Sequence, residues 1–336
     1  MRVARLHAVG DLRLADEPVP AVEPGTSLVR VTAVGICGSD LHWWTEAGIG
    51  DDSLAEPLIL GHEAAGVIDA GPRRGERVAI DPAIPDGTCP QCRAGYRNLC
   101  PQVRFAGHGN QDGALREFLT WPSALLVPLP DRLTDEAGAA LEPLGVAIHA
   151  VDLGHLRIGG TAAVIGCGPI GLLLVQLLRG AGAASVVAVD PLPHRRGAAS
   201  RAGASVTADP ASADRDSGLA DLVGTGVDTA FEMAGTDGAV QLAIRAARPG
   251  GRVVLGGIPA DDWIRFPAST SRRKGLTIAM VRRMNEVYPR AIGLAASGHV
   301  DLAGLVTDRF PLARAADAFE SAARRGGLKV IIEPGA

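Results

Sequence analysis

The stretch AAVIGCGPIGLLLVQLL, starting at Ala162, runs an apolar segment into three spaced glycines and then into an apolar helical pattern. Few folds satisfy that order. Gly166 permits a tight turn, Gly168 lets a diphosphate approach the backbone, and Gly171 lets the helix pack closely on the strand. Pro169 and Ile170 complete the GCGPIG turn, and the helix N-terminus faces the phosphates with its positive dipole end. The next strand, SVVAVD, ends in Asp190, 24 residues past Gly166. A carboxylate there accepts hydrogen bonds from an adenosine ribose and repels a 2′-phosphate, which favours NAD over NADP. Arg195 and Arg196 follow; they either soften that preference or are solvated helix charges.

The glycine turn sits in the middle of three zones. Residues 1 to about 145 hold short alternating runs such as LVRVTAVGI and GERVAI, divided by Gly and Pro, a mostly β domain with irregular loops. From about 146 to 285, TAAVIG, SVVAVD, VDTAFEMAG, GRVVLGG and LTIAMV alternate with helical stretches, the pattern of a parallel α/β sheet. The remaining RFPLARAADAFESAARRGGLKVIIEP reads as an amphipathic helix and a closing strand that pack back on the first zone. The fold class is therefore α/β, with a smaller mostly β domain beside a doubly wound parallel sheet.

Composition excludes several functions. A net charge of −4 gives no reason to expect a nucleic-acid partner. Only Lys274 and Lys329 are lysines among 33 basic residues, which reads as genome-wide bias rather than an arginine surface. The first residues, MRVARLHAVGDLRL, show no secretory h-region. The longest apolar run, Ala163 to Leu178, is too short and too interrupted to span a membrane. A cytoplasmic protein is expected, with its five cysteines reduced.

Three of those cysteines, the closely spaced Cys89, Cys92 and Cys100, suggest metal more than disulfide. GICGSDLHWW offers Cys37, Ser39, Asp40 and His42; LGHEAAG supplies His62 and Glu63; ALEPLGVAIHA brings Glu142. Thiolate, imidazole and carboxylate make a natural zinc set, and three protein ligands leave a position for water or substrate. Singly, Cys37 also reads as a small buried hydrophobe and His62 as a core histidine. Glu63, inside an apolar stretch, needs a partner, because a buried charge must be compensated.

The succession GICGSDLHWW, LGHEAAGVI, NLCP, ALEPLGVAIHA, GCGPIG, NEVYPRA and RFPLARAADAFE resembles the zinc-dependent medium-chain dehydrogenases/reductases, and most of all their sorbitol/xylitol (polyol) dehydrogenase branch. The resemblance covers essentially the whole chain. It implies a GroES-like catalytic domain over 1–145 and 286–336 and a Rossmann domain over 146–285, with zinc and nicotinamide in the cleft between them. It implies Cys37, His62 and Glu63 as zinc ligands, Glu142 bound directly or through water, and Asp40 orienting the histidine. Zinc would act as Lewis acid on the alcohol, Ser39 would accept its proton, and His42 would relay that proton to solvent. Hydride would pass to NAD, giving a ketone from a polyol, cyclitol or vicinal diol. A metal-free NADP-dependent reductase of the same fold is the alternative, and a non-catalytic nucleotide-binding protein a third reading.

The family often carries a second, structural zinc on four cysteines, in a lobe here spanning about 83–103. Cys89, Cys92 and Cys100 match three of those positions and Asp86 the first, so the lobe holds zinc on one aspartate and three thiolates or is empty. Cys167 is read as packing, and Trp43 and Trp44 as walls of the pocket. Two departures concern GVIDAGPRRGERVAI, a shortened loop, and VRRMNEVYP, where Arg282 matches a family arginine while Arg283 stands where a tyrosine is usual. Relatives of this kind are homo-oligomers, so a homotetramer, or else a homodimer, is expected through the edge strand LTIAMV.

Overall fold

The computed structural model describes residues 1–213 and 218–335. It divides into two compact units, one formed by Met1–Pro143 with Tyr288–Ala336 and the other by Leu144–Val287.

The first unit is built on a seven-stranded sheet. Its path runs Leu126–Pro128, Arg77–Ile80, Glu63–Ala70, Thr26–Gly35, Lys329–Glu333 and Val306–Pro311, with Phe118–Pro122 also pairing to Thr26–Gly35. The strand Thr26–Gly35 is central: it pairs along both edges, and seven of its ten residues are buried. Phe118–Pro122 takes one edge of it at residues 26–30, and Lys329–Glu333 takes the same edge further on, with Ile332 opposite Val34 and Ile331 opposite Gly35. The closing strand of the chain thus lies inside the first zone's sheet, and helix Ala315–Ala323 crosses between it and Val306–Pro311. Val29, Val31, Ile59, Leu60, Leu119, Trp121 and Phe319 form the middle of this core, all essentially inaccessible.

The second unit has six strands, all parallel, in the order Val206–Ala208, Ser185–Val189, Thr161–Ile165, Val227–Glu232, Ala247–Leu255 and Thr277–Met280. The chain starts in the middle, winds outward one way, then returns and winds the other way. The direction reverses between Thr161–Ile165 and Val227–Glu232, and such a switch point is where open α/β sheets bind ligands. Five strands match the sequence reading. The sixth, Val206–Ala208, is too short for alternation to signal. Helix Pro169–Gly180 buries Leu172, Leu173, Leu174, Val175, Leu177 and Leu178, which explains its uninterrupted apolar face. Among the described residues no helix is long and apolar enough to cross a membrane.

Candidate active site

Cys37 lies just after the central strand of the first unit and caps helix Gly38–Glu46. The cap is reciprocal: its side chain accepts from the backbone of Asp40, and Asp40 Oδ2 accepts the Cys37 N–H at 2.9 Å. Asp40, with no exposure, also accepts the Gly61 N–H at 3.3 Å and faces His62 Nδ1 at 3.3 Å through Oδ1. One carboxylate therefore orients both Cys37 and His62.

His62 follows Gly61, whose φ of +91 only glycine adopts without strain. With Nδ1 towards Asp40, its Nε2 lies 3.4 Å from Ser39 Oγ. Burial opposes charge on Asp40, but His62 and the Cys37 N–H outweigh it and hold the carboxyl below its ordinary range. Burial likewise opposes charge on His62, yet Asp40 and Cys37 raise it well above the usual imidazole value. A metal on Nε2 would take the place of that proton.

Glu63 begins the strand Glu63–Ala70 and stands opposite Gly35. A Cβ at Gly35 would land on Glu63 Oε2, so the carboxylate fills the space that only a glycine leaves. The partner that a buried Glu63 requires is Lys329, itself fully buried: Nζ donates to Oε2 at 2.6 Å, to Oε1 at 2.8 Å and to the Ile36 carbonyl at 3.0 Å. Burial favours the neutral amine, but Glu63 and Cys37 raise the ammonium above its ordinary value. Sequence reading missed this lysine. Its signal was rarity, since a chain that otherwise uses arginine retains lysine at only two positions.

Ligand atoms of Cys37, His62 and Glu63 lie within 4.8 Å of one another, close enough to share one ion. A carboxylate has about four acceptor positions, so Glu63 can serve a metal and Lys329 together. Glu142 is buried but not part of that set. Burial first, and then Glu63, push its carboxyl up to about 7, against the pull of His62 and Lys329. The donors fit zinc in type.

Around the cluster, Trp43 is fully buried and donates Nε1–H to His108 Nδ1 at 3.4 Å. The His108 ring stands 5.3 Å from that of His62 and 5.1 Å from that of Phe105. His108 and Phe105 were not singled out from sequence. Trp44 is buried, its ring tilted against that of Phe319 with centroids 5.5 Å apart. His42 Nδ1 meets the Glu46 carboxylate on the same helix. Tyr288 is anchored by its hydroxyl to the Ile80 carbonyl at 2.9 Å, while Arg282 and Arg283 belong to the other unit.

In that second unit each glycine has its own reason. Gly166 has φ +95, and a Cβ would lie 2.9 Å from the Ala234 nitrogen. A Cβ at Gly171 would strike the Gly166 carbonyl oxygen. Around Gly168 the nearest atom is Arg195 Nη1 at 3.8 Å, leaving room for a ligand at the N-terminus of the helix that Pro169 and Ile170 begin. Asp190 is buried, with Oδ2 accepting the Cys167 N–H and Oδ1 the Leu192 N–H, both at 2.8 Å.

In the lobe, ligand atoms of Asp86, Cys89, Cys92 and Cys100 also lie within 4.8 Å of one another. Asp86 Oδ1 accepts the Thr88 and Cys89 N–H groups at 2.8 and 2.9 Å, which hold its carboxyl below the usual range. That is the turn role of an Asp.

Two family models match the chain, Alcohol dehydrogenase GroES-like domain over residues 23–131 and Zinc-binding dehydrogenase over 169–297. Sorbitol dehydrogenase of Bacillus subtilis is 35% identical across 99% of this chain and 97% of its own length. The chain belongs to the zinc-dependent medium-chain dehydrogenases, in their polyol dehydrogenase branch. Solved members of the family superpose along its length. A zinc-binding dehydrogenase of Sinorhizobium meliloti bound to NADP gives a TM-score of 0.90 at 32% identity, covering 99% of each chain. The 2R,3R-butanediol dehydrogenase of Bacillus subtilis gives 0.89 at 30% identity, again over 99% of each. This family member is an oxidoreductase that works on a small molecule with zinc and a nicotinamide cofactor.

Proposed function

We propose that the protein oxidises a secondary hydroxyl of a polyol, cyclitol or vicinal diol to the ketone, with zinc held by Cys37, His62 and Glu63 and with NAD as acceptor. The observation that carries this is the convergence of those three ligands on one point, backed by Asp40 and Lys329. Zinc, when bound, supplies Lewis acidity to the reacting hydroxyl, and the nicotinamide supplies the hydride acceptor. Ser39 Oγ, beside His62 Nε2, takes the hydroxyl proton, and His42 passes it outward. Glu142 contributes through water, in keeping with its separation from the three-ligand set. Asp190 binds the ribose hydroxyls, and Gly166, Gly168, Pro169, Ile170 and Gly171, with Arg195 above Gly168, hold the diphosphate.

The relative from Sinorhizobium meliloti holds NADP. For this chain the carboxylate at the strand end favours NAD. The complete ligand set argues against a metal-free NADP-dependent reductase. We further infer a second zinc on Asp86, Cys89, Cys92 and Cys100, a homotetrameric assembly (or else a homodimer) and a cytoplasmic setting that keeps these thiols reduced.

Zinc analysis combined with NAD reduction on a panel of polyols, cyclitols, aminocyclitols and diols tests this reading. His62→Ala should abolish turnover while NAD still binds. Activity that survives complete metal removal would overturn it.

A further inference from the structure

Helix Gly38–Glu46 carries three proton-handling side chains on one face. Ser39, His42 and Glu46 stand at i, i+3 and i+7, the spacing that stacks side chains turn upon turn. Exposure rises along the stripe: Ser39 is buried, the His42 side chain is 19% exposed and that of Glu46 41%. At the inner end Ser39 Oγ lies 3.4 Å from His62 Nε2. At the outer end His42 Nδ1 lies 3.3 and 3.2 Å from the two oxygens of Glu46. A carboxylate only accepts, so Nδ1 carries the hydrogen and Nε2 is the acceptor of the imidazole.

Glu46 is out of keeping with its position. It ends the helix, where the macrodipole favours a cation, and no basic residue shares the last turn. Its bond to His42 is what offsets that. On the neighbouring helix the acidic groups are engaged elsewhere. Helix Ala315–Ala323 meets this helix through Phe319 on Trp44, while its Asp317 and Glu320 pair with Arg314 and Arg324. The short strand Gly48–Ile49 has no titratable group, and its partner strand adds the exposed Asp52.

We propose that Glu46 is a positioning residue of the proton exit, acting through His42. As the alcohol is oxidised, its hydroxyl proton moves to Ser39 Oγ and the Ser39 proton moves on, through water, to His42 Nε2, giving an imidazolium. The Nδ1 proton then leaves through the Glu46 carboxylate to water, which leaves the Nε2–H tautomer. Exchange of both ring protons with solvent, biased by the Glu46 carboxylate at Nδ1, restores the Nδ1–H form before the next turnover. This rests on the reading of His42 as a relay.

The test uses the zinc-loaded enzyme with NAD and its best polyol. Glu46→Gln should turn over about tenfold more slowly, less than the roughly 10²–10⁴-fold a proton-transferring group itself supplies, with unchanged zinc content. Imidazole buffer should restore the rate as its concentration rises, and the solvent deuterium isotope effect should grow. By 15N NMR, His42 should be the Nδ1–H tautomer in the wild type and a mixture in Glu46→Ala. In a His42→Gln background, Glu46→Gln should add nothing. A Glu46→Gln enzyme that matches the wild type, or is slowed without imidazole rescue, overturns the proposal while leaving a slow His42→Gln enzyme as a relay. A His42→Gln enzyme that turns over normally removes the relay itself, and Glu46 with it.

Discussion

Lys329 gives all three of its ammonium protons to two residues: two to the carboxylate of Glu63, at 2.6 and 2.8 Å, and one to the carbonyl of Ile36 at 3.0 Å. Arginine could not do this. Its planar fork is wider, whereas the three donors of a compact ammonium converge on a site sealed from solvent. The other lysine, Lys274, is used in the same way, donating to the carbonyls of Ile244, Arg245 and Ala247 at the end of helix Asp237–Ala246.

Lys329→Met should therefore leave the Glu63 charge buried and uncompensated, at a cost of about 3–5 kcal/mol. A divalent ion beside Glu63 supplies part of the missing positive charge. The loss should then be larger for the zinc-free protein than for the loaded one. Urea unfolding with and without zinc measures the difference, and equal losses in both forms would contradict the assignment of Glu63 as a ligand.

Asp190 has two tasks, so its replacement should show two effects. Asp190→Ser removes the acceptor for the ribose and also one of the two carboxylate oxygens that hold the Cys167 and Leu192 N–H groups. Hydrogen bonds to a charged group are worth about 1.5–3 kcal/mol, so KM for NAD should rise roughly tenfold or more. NADP should lose less, because the repulsion of its 2′-phosphate goes too. The ratio of kcat/KM for the two cofactors reads this directly; a wild-type preference for NADP would show the strand end misread.

For the lobe, Asp86→Ala should lower zinc from two per subunit towards one. The lobe should become less stable to heat and proteolysis, with turnover at Cys37 largely retained. Native mass spectrometry counts the ions. A single zinc in the wild type, even with excess metal supplied, would rule Asp86 out.

Assembly should depend on the strand Thr277–Met280, which closes one side of the parallel sheet and leaves Met280 61% exposed. An open strand edge pairs with another chain unless it is blocked. Light scattering should find an oligomer at micromolar concentration, and Met280→Lys should shift it towards smaller species. A wild-type monomer would contradict the inference.

Much of this could be read from local pattern. The glycine turn declares itself because each glycine answers to a neighbour a few residues away, and Cys37, Asp40, His62 and Glu63 sit in two short motifs. What escaped reading depends on contacts distant in sequence. Lys329 lies 266 residues from Glu63, and no periodicity links them. Phe105 and His108 come from a glycine-rich loop without regular spacing, and only the folded chain brings them against His62. Trp43 and Trp44 looked alike in sequence, yet one lies beside His108 and the other packs on Phe319, because neighbours on a helix face different ways.

The strand Lys329–Glu333 lies between Thr26–Gly35 and Val306–Pro311, inside the sheet rather than at its rim. During synthesis the ribosome delivers Cys37, His62 and Glu63 well before Lys329, with the whole of Leu144–Val287 made in between. The second unit, being continuous, is able to fold while the first still has an open strand edge and an acidic residue with no counter-charge. The Glu63 carboxylate gains its counter-charge only once that strand docks. The segment that carries Glu63 waits on a strand 266 residues downstream.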